Sequence, residues 1–244
     1  IDPKTGFVYG PTAVYVARSA SAKAVGPYLA PADLLVTEAP YRSRQAAGED
    51  DPFAAIYQTS VEIDRPGPLT ILAVTRVNNG LVAAGTQVRV VAKQADRIPD
   101  RGEPAPRVST ETIASARGNI EAIDTRIPAD SMHRTNLLEV LGKKPVALIM
   151  ATPALCESRV CGPVVDIAEQ LKAKYGDQVE FIHQEVFVDN NPSKGLRKPL
   201  RDFNLRTEPW LFTIGADGRV AARVEGSFGL EAFERAVRAA IAQS

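Results

Sequence analysis

The chain has 244 residues, 45% of them apolar, and carries 29 basic and 29 acidic residues, so its formal net charge is zero. A nucleic-acid-binding protein normally has a basic face, and this balance therefore predicts no nucleic-acid partner. No apolar run approaches the ~18 residues that a membrane span needs. We expect membrane association only through a segment upstream of Ile1, where a signal peptide or lipid anchor would lie.

The first 95 residues predict an all-β domain, because short strand-like runs recur along them. TAVYVARS is one such run, and IYQTSVEI places Tyr57, Val61 and Ile63 on one face, with the period of a half-buried strand. RPGP (65–68) predicts a turn before LTILAVTRV, and NNG (78–80) predicts a hairpin turn before the strand TQVRVVA. We expect a sandwich whose core contains Tyr57, Val61 and Ile63.

The stretch RPGPLTILAV is similar in topology to the last hairpin of many small immunoglobulin-like domains. This resemblance implies an immunoglobulin-like β-sandwich over residues 1–95. Residues 96–135 contain four prolines and show no sustained period. They predict a proline-rich linker with irregular edge strands at the start of a second domain, residues 96–244.

From Pro145 onward the pattern alternates between strands and helices. PVALIMAT is an unbroken apolar run, as expected of a strand covered on both faces, and Val164, Ile167 and Leu171 then recur on one helix face. A second strand, QVEFIHQEVFV, is followed by a short helix near Pro199, a hairpin and a final helix. The predicted order is strand, helix, strand, helix, strand, strand, helix.

Both cysteines lie where the first of these strands meets its helix, in ATPALCESRVCGPVVD (151–166). The placement and the element order resemble the thioredoxin fold across residues 100–244. GEPAP (102–106) has the G-x-x-A-P form that opens many secreted thioredoxin-like proteins, VFVDNNP resembles a strand ending in D-x-N-P, Pro209 stands where the family has a cis-proline, and CGP (161–163) copies the start of C-G-P-C. The predicted fold class is therefore α+β: a β-sandwich followed by a thioredoxin-fold α/β domain.

The resemblance implies a thiol–disulfide oxidoreductase with catalytic Cys156 and Cys161. Pro209, in cis, would shape a groove for an extended partner, and Arg159, between the cysteines, would favour a thiolate. The implied partner is a protein thiol or disulfide substrate or a reductant, and no cofactor is expected. The implied location is secreted or in the cell envelope; the oligomeric state is not predicted.

Helix geometry adds a prediction about the two sulfurs. Pro163 suits a first helical turn, which places Cys161 at the helix start and Cys156 in the preceding loop. Unpaired N–H groups and the helix dipole stabilise a thiolate there, so we expect Cys161 to be the more thiolate-prone cysteine. Within one regular helix the pair would lie ~7.5 Å apart along the axis, beyond disulfide reach. The loop removes that limit, and we expect a Cys156–Cys161 disulfide in the isolated protein.

Two alternatives stay open. C-x4-C followed by Gly is also similar to Q-type peroxiredoxins, in which Cys156 would be the peroxidatic residue and Cys161 the resolving one. Pro209 occupies the position of that family's arginine, and Leu148 lies near the position of the buried carboxylate of thioredoxins. The other alternative is a non-catalytic binding or scaffold protein with an inert disulfide, as secreted proteins often retain.

A metal site is not expected. Copper-delivery proteins on this fold use C-x3-C with a later histidine, whereas four residues separate the cysteines here. His183, in the middle of EFIHQEV, is expected to pack within the sheet, and His133, in the linker, is expected to be solvated. Glu208, beside Pro209, is a candidate proton acceptor for the cysteines, although a solvated loop carboxylate is the simpler expectation.

Overall fold

The computed structural model describes residues 10–19, 21–48, 54–77 and 80–243, so the turn predicted at residues 78–79 lies outside the described residues. The chain folds as two compact units. The first comprises residues 1–33 and 55–97, and the second comprises residues 34–54 and 98–244. The predicted boundary at residue 95 follows the same chain order, but it does not anticipate that residues 34–54 belong to the second unit.

The first unit is built from β-strands. The strands are β1 (Thr12–Ala17), β2 (Val25–Ala30), β3 (Ala32–Leu34), β4 (Ala55–Tyr57), β5 (Gly67–Val77) and β6 (Gly80–Val90). The pairs β1–β2, β1–β5 and β5–β6 are antiparallel. Four strands form one sheet, in which they lie side by side in the order β2-β1-β5-β6. The other two strands, β3 and β4, pair with each other. The strand predicted from LTILAVTRV is confirmed, and its ladder with the next strand runs from Gly67 opposite Val90 to Val77 opposite Gly80.

The immunoglobulin-like sandwich is not seen in the described residues of this unit. A sandwich requires two facing sheets with interdigitating inner faces, whereas these residues form one four-stranded sheet and one short ladder. Tyr57, Val61 and Ile63 are half-buried rather than buried, and β6 is exposed along almost its whole length. The strand predicted through IYQTSVEI also ends at Tyr57. Alternation in these segments therefore does not mark the inner face of a sandwich.

The second unit contains one mixed sheet with helices. Its elements are α1 (Leu137–Val140), β7 (Val146–Met150), α2 (Cys161–Tyr175), β8 (Glu180–Gln184), α3 (Lys198–Asp202), β9 (Trp210–Ile214), β10 (Val220–Glu225) and α4 (Leu230–Ile241). The sheet order is β10-β9-β7-β8; β8 runs parallel to β7, and β9 runs antiparallel to both β7 and β10. From β7 onward this is the predicted element order, and the strand order is that of the thioredoxin fold.

The core of this unit surrounds β7, whose five residues are all buried. Leu148 and Phe212 of the sheet pack with Leu200 and Phe203 in and beside α3, while α4 contacts β7, β9 and β10. A strand covered on both faces reads as a continuous apolar run, which explains why PVALIMAT was predictable. Among the described residues, no helix is both long enough and apolar enough to cross a membrane.

The stretch 96–135, predicted as a linker, is largely part of the second unit. Val108, Ile123 and Met132 are buried in it, and the Ala105 N–H donates to the Gly218 carbonyl oxygen at 3.0 Å. Proline lacks an N–H and so resists regular structure. The stretch is therefore irregular but packed, and it carries several of the polar side chains described below.

Candidate active site

The cysteine loop, residues 152–160, connects β7 to α2. The Cys156 N–H donates to the Thr152 carbonyl oxygen at 3.1 Å, and the Arg159 N–H donates to the Cys156 carbonyl oxygen at 3.3 Å. Arg159 has a left-handed φ of 61°, and α2 begins two residues later at Cys161. The loop thus folds back and brings the Cys156 sulfur against the first turn of α2.

The Cys156 sulfur lies among hydrogen-bond donors. The Cys161 thiol donates to it and makes the largest contribution to lowering its pKa. The Ser158 hydroxyl, 3.1 Å from the sulfur, and backbone groups of Cys161 and Ser158 add to the effect. Partial burial opposes them, but the pKa of Cys156 still falls to about 5. Cys156 is therefore a half-buried thiolate at neutral pH.

Cys161 has the opposite environment. It is fully buried at the start of α2, and burial raises the pKa of its thiol because the charged form is desolvated. The hydrogen bond that it donates to Cys156 and the negative charge on Cys156 raise this pKa further. Cys161 therefore keeps its proton and acts as the donor to Cys156.

The prediction that Cys161 is the more thiolate-prone cysteine is wrong. The helix dipole contributes only ~0.3–1 kcal/mol, which does not offset the desolvation of a fully buried thiol. The folded-back loop also directs the donors of the first turn to Cys156. Both cysteines are free in this structure, so it describes the reduced pair, and the disulfide remains a prediction.

The Glu208–Pro209 peptide is cis, as predicted, and Pro209 is buried directly before β9. The Pro209 carbonyl oxygen accepts a hydrogen bond from the Gly226 N–H at 2.8 Å. Glu208 is half-buried near the cysteines: burial raises the pKa of its carboxyl, and the charges on Cys156 and Glu157 raise it further. Glu208 thus places a carboxyl group beside the cysteine pair. The position where thioredoxins have a buried carboxylate lies near Leu148, which is apolar.

A cavity of about 420 Å³ opens beside Cys156 and is lined by Arg159 and Pro163 together with Arg44 and Gln45. Arg159 was predicted to stabilise a thiolate. It lies on the cavity with Cys156, but the pKa of Cys156 is lowered mainly by Cys161 and Ser158. Because the Arg159 side chain is exposed, water and salt screen its charge.

Residues 34–48, here called the strap, pack against the start of α2. The Ser43 N–H and hydroxyl donate to Asp166 Oδ2 at 3.0 and 3.1 Å, and Arg126 Nε donates to Asp166 Oδ1 at 2.9 Å. Gly162 lies so close to the strap that a Cβ atom there would lie 2.5 Å from both Cβ and O of Gln45. The glycine of the CGP motif is therefore required for the strap to approach the helix.

Sequence reasoning missed three parts of this region: the role of Ser158, the strap, and a buried polar cluster formed by Asp124, Asp130, His133 and His183. His183 lies within β8 as predicted, but the prediction that His133 is solvated is wrong, because it is 1% exposed. The run DTRIPADSMH, residues 124–133, places two aspartates and a histidine within ten positions, which was the available signal for the cluster.

Comparisons with known proteins find solved structures that resemble this chain, but they do not assign it to a family. No protein-family model and no curated protein matches the sequence. Among solved structures, a protein assigned as the thiol:disulfide interchange protein DsbE of Chlorobium tepidum is 17% identical over 59% of this chain and 99% of its own, with a TM-score of 0.42. A thioredoxin-family thiol:disulfide interchange protein from Chlorobium tepidum TLS is 18% identical over 60% and 99%, with a TM-score of 0.40. MTB DsbF, in mixed oxidized and reduced forms, is 16% identical over 56% and 96%, with a TM-score of 0.38.

The strand order and connectivity define the second unit as thioredoxin-like.

Proposed function

We propose that the chain is a thiol–disulfide oxidoreductase in which Cys156 is the attacking cysteine and Cys161 the resolving one. The observation that carries this proposal is the different setting of the two sulfurs. Cys156 lines a cavity and has the Ser158 hydroxyl 3.1 Å from its sulfur, whereas Cys161 is fully buried at the start of α2. These settings lower the pKa of Cys156 to about 5 and raise the pKa of Cys161. The thiolate is the nucleophile in disulfide exchange, so the chemistry starts at Cys156. This reverses the roles expected from helix position alone.

In the first step, the Cys156 thiolate attacks one sulfur of a partner disulfide. A Cys156–partner S–S bond forms while the partner's own S–S bond breaks, and its second sulfur leaves as a thiolate. In the second step, Cys161 loses its proton and attacks the Cys156 sulfur, which releases the partner. The partner disulfide has then gained two electrons, and the chain holds a Cys156–Cys161 disulfide. The reverse sequence oxidises a partner dithiol.

The second step needs a base, because burial holds the proton on Cys161. Glu208 is the charged group that acts on both cysteines: its charge raises the pKa of Cys161, and the Cys156 thiolate raises the pKa of Glu208. Once Cys156 is in a mixed disulfide, its negative charge is gone, and Glu208 is placed to take the proton. Glu208 is therefore the proposed general base.

The proposed partner is a protein disulfide or dithiol in an extended segment, and the proposed setting is extracytoplasmic, where exchange pairs cycle against an oxidising environment. The cavity beside Cys156 supports the first point, since Arg44, Arg159 and Pro163 border the sulfur. The other wall of this groove is proposed to be Glu208, whose charge acts on Cys161, and Pro209, which directly precedes β9.

The test is to trap the first intermediate. Cys161→Ser keeps the attacking thiolate but removes the resolving sulfur, so this variant should accumulate a mixed disulfide with a model disulfide peptide. Cys156→Ser should accumulate none. Trapping through Cys161 in the Cys156→Ser variant would overturn the assigned roles, and trapping in neither variant would overturn exchange itself.

The same variants address the peroxiredoxin alternative, which the low pKa of Cys156 also favours. Peroxide reduction would form a sulfenic acid on Cys156 in the Cys161→Ser variant at low peroxide concentration, well ahead of exchange with a disulfide peptide. The exchange proposal expects the reverse order of rates. An inert staple predicts slow reaction with both reagents.

A further inference from the structure

A buried cluster of two histidines and two aspartates lies apart from the cysteine chemistry. One ligand-type atom from each of Asp124, Asp130, His133 and His183 lies within 4.8 Å of the others, and all four residues are buried. His133 Nε2 is 3.5 Å from Asp130 Oδ1 and 3.7 Å from Asp124 Oδ2. His183 Nδ1 is 2.6 Å from Asp130 Oδ2 and 4.0 Å from Asp124 Oδ1.

The hydrogen-bonding capacity of His133 is not satisfied in this cluster. It is 1% exposed, yet neither of its ring nitrogens has a hydrogen-bond partner among the described residues. Buried polar groups in proteins are almost always hydrogen-bonded, and an unpaired one costs about 1–3 kcal/mol. A buried imidazole whose Nε2 faces two carboxylates at 3.5–3.7 Å is the arrangement expected if a further group lies between them.

The other three side chains are already oriented by surrounding backbone groups. His183 Nε2 donates to the Ala151 carbonyl oxygen at 3.1 Å, which leaves Nδ1 directed at the carboxylates. Asp124 accepts from the Arg126 and Asp130 N–H groups at 2.8 and 2.7 Å, and Asp130 accepts from the Met132 N–H at 2.8 Å. Metal-binding histidines and carboxylates are typically held by such outer hydrogen bonds.

The burial of several carboxylates points the same way. Both aspartates of the cluster are buried, and so is Glu185, which directly follows β8. Buried carboxylates in proteins are usually paired or coordinate a metal, so this concentration of carboxylates favours a bound cation.

We propose that Asp124, Asp130, His133 and His183 bind a divalent transition metal ion of the Zn²⁺ class. Zn²⁺ prefers four ligands at ~2.0–2.2 Å in a tetrahedron, which separates the ligand atoms by about 3.4 Å. One oxygen from each aspartate and one nitrogen from each histidine lie within 4.8 Å of one another, so small side-chain movements bring the four atoms to that spacing. The 2.6 Å hydrogen bond between His183 Nδ1 and Asp130 Oδ2 is replaced when both side chains bind the metal.

The site has a structural role. All four ligands are buried, so no position is open to substrate, as in structural rather than catalytic zinc sites. The ion joins the irregular segment 124–133 to β8 through His183. Because His183 also bonds to Ala151, directly before the cysteine loop, the ion holds the base of that loop as well. This inference does not depend on the exchange activity proposed above.

The experiment uses the whole chain, unfolded in chelator and refolded with Zn²⁺, with Co²⁺ or without metal. After gel filtration we expect one Zn²⁺ per chain and a thermal midpoint several degrees above that of the metal-free protein. The Co²⁺ form should show the visible bands of a tetrahedral site without an intense near-ultraviolet thiolate band. Refolded wild-type protein that retains no metal, or Co²⁺ with a strong thiolate band, would overturn the proposal.

Variants separate this cluster from the cysteine pair. His133→Asn and His183→Gln should lose the metal, whereas the double variant Cys156→Ser/Cys161→Ser should keep it. Asp166→Asn is the matched control, because Asp166 is a buried carboxylate bonded to Ser43 and Arg126 outside the cluster, and it too should keep the metal. Retention in both histidine variants, or loss in the cysteine variant, contradicts the assignment; if the histidine variants do not fold, the wild-type cobalt spectrum decides.

Discussion

The Cys161 thiol donates a hydrogen bond to the Cys156 sulfur, so the buried cysteine stabilises the charge on the more exposed one. The four residues between them allow this because the loop turns back at Arg159, whose φ is positive. The relationship makes the two cysteines unequal before any partner arrives. It also means that changing either residue changes the chemistry of the other.

Removing the Cys161 thiol should raise the pKa of Cys156. A hydrogen bond to a charged group is worth about 1.5–3 kcal/mol, so Cys161→Ala is expected to raise this pKa by about one to two units. Cys161→Ser keeps an O–H donor and should change it less. The ultraviolet absorbance of the thiolate, followed against pH in each single-cysteine variant, measures the difference. Equal pKa values in the two variants would remove the hydrogen bond from the explanation.

The stability of the reduced protein should depend on pH through Cys156. Its pKa is about 5 when folded and ~8.5 when unfolded, so between these values the unfolded chain binds the extra proton and stability rises with pH. The stabilising contribution is fully present above about pH 8.5 and is lost as pH falls through 5. Urea unfolding of reduced wild type and of Cys156→Ser should therefore diverge from pH 5 to 9. The oxidised wild type has no thiolate and is the control; the same divergence there would contradict the assignment.

Glu208→Gln should slow the resolving step. A positioned general base contributes about 10²–10⁴-fold, and we expect the mixed disulfide on Cys156 to decay at least about tenfold more slowly at pH 7. The neutral side chain should also lower the pKa of Cys156, since the negative charge beside it is removed. Glu157→Gln is the matched control, because Glu157 is exposed and should leave the decay nearly unchanged. Equal slowing in both variants would assign the effect to net charge rather than to a proton acceptor.

Gly162→Ala should destabilise the second unit although alanine normally favours a helix. The added Cβ would lie 2.5 Å from both the Cβ and the carbonyl oxygen of Gln45. Overpacking of this kind costs about 1–3 kcal/mol, measurable by urea unfolding. Gln45→Ala should not rescue the variant, because the clash with the backbone oxygen remains. A stabilised Gly162→Ala would mean that the strap does not pack on α2 in solution.

The sequence predicts those elements of the second unit whose pattern is set by residues close together in the chain. PVALIMAT and the stripe from Val164 to Leu171 carry the period of a buried strand and of a helix face, and β7 and α2 follow them. The cis peptide before β9 was also predictable, from the similarity of TEPW to a known motif. These features need no information about distant residues.

The remaining features depend on long-range contacts. The strap has no periodic pattern, and its place is set by bonds such as Ser43 to Asp166, 123 positions apart. The thiolate assignment failed for the same reason: C-x4-C spacing does not show that the loop folds back or that Cys161 is buried. In the first unit, the alternation from Tyr57 to Ile63 predicts a strand, but the strand ends at Tyr57, because alternation alone does not show whether a neighbouring strand is there to pair with.

The reduction potential of the Cys156–Cys161 pair tests the central claim most directly. Hydrogen bonds from Cys161 and Ser158 stabilise the Cys156 thiolate, and the thiolate exists only in the reduced form of the pair. The reduced form is therefore favoured, which makes the disulfide–dithiol couple more oxidising. Equilibration of the protein with glutathione buffers, followed by mass spectrometry of both cysteines, should give a potential above about −270 mV, the value of thioredoxin. A potential below about −300 mV, the range of structural disulfides, would contradict exchange and identify the pair as a staple.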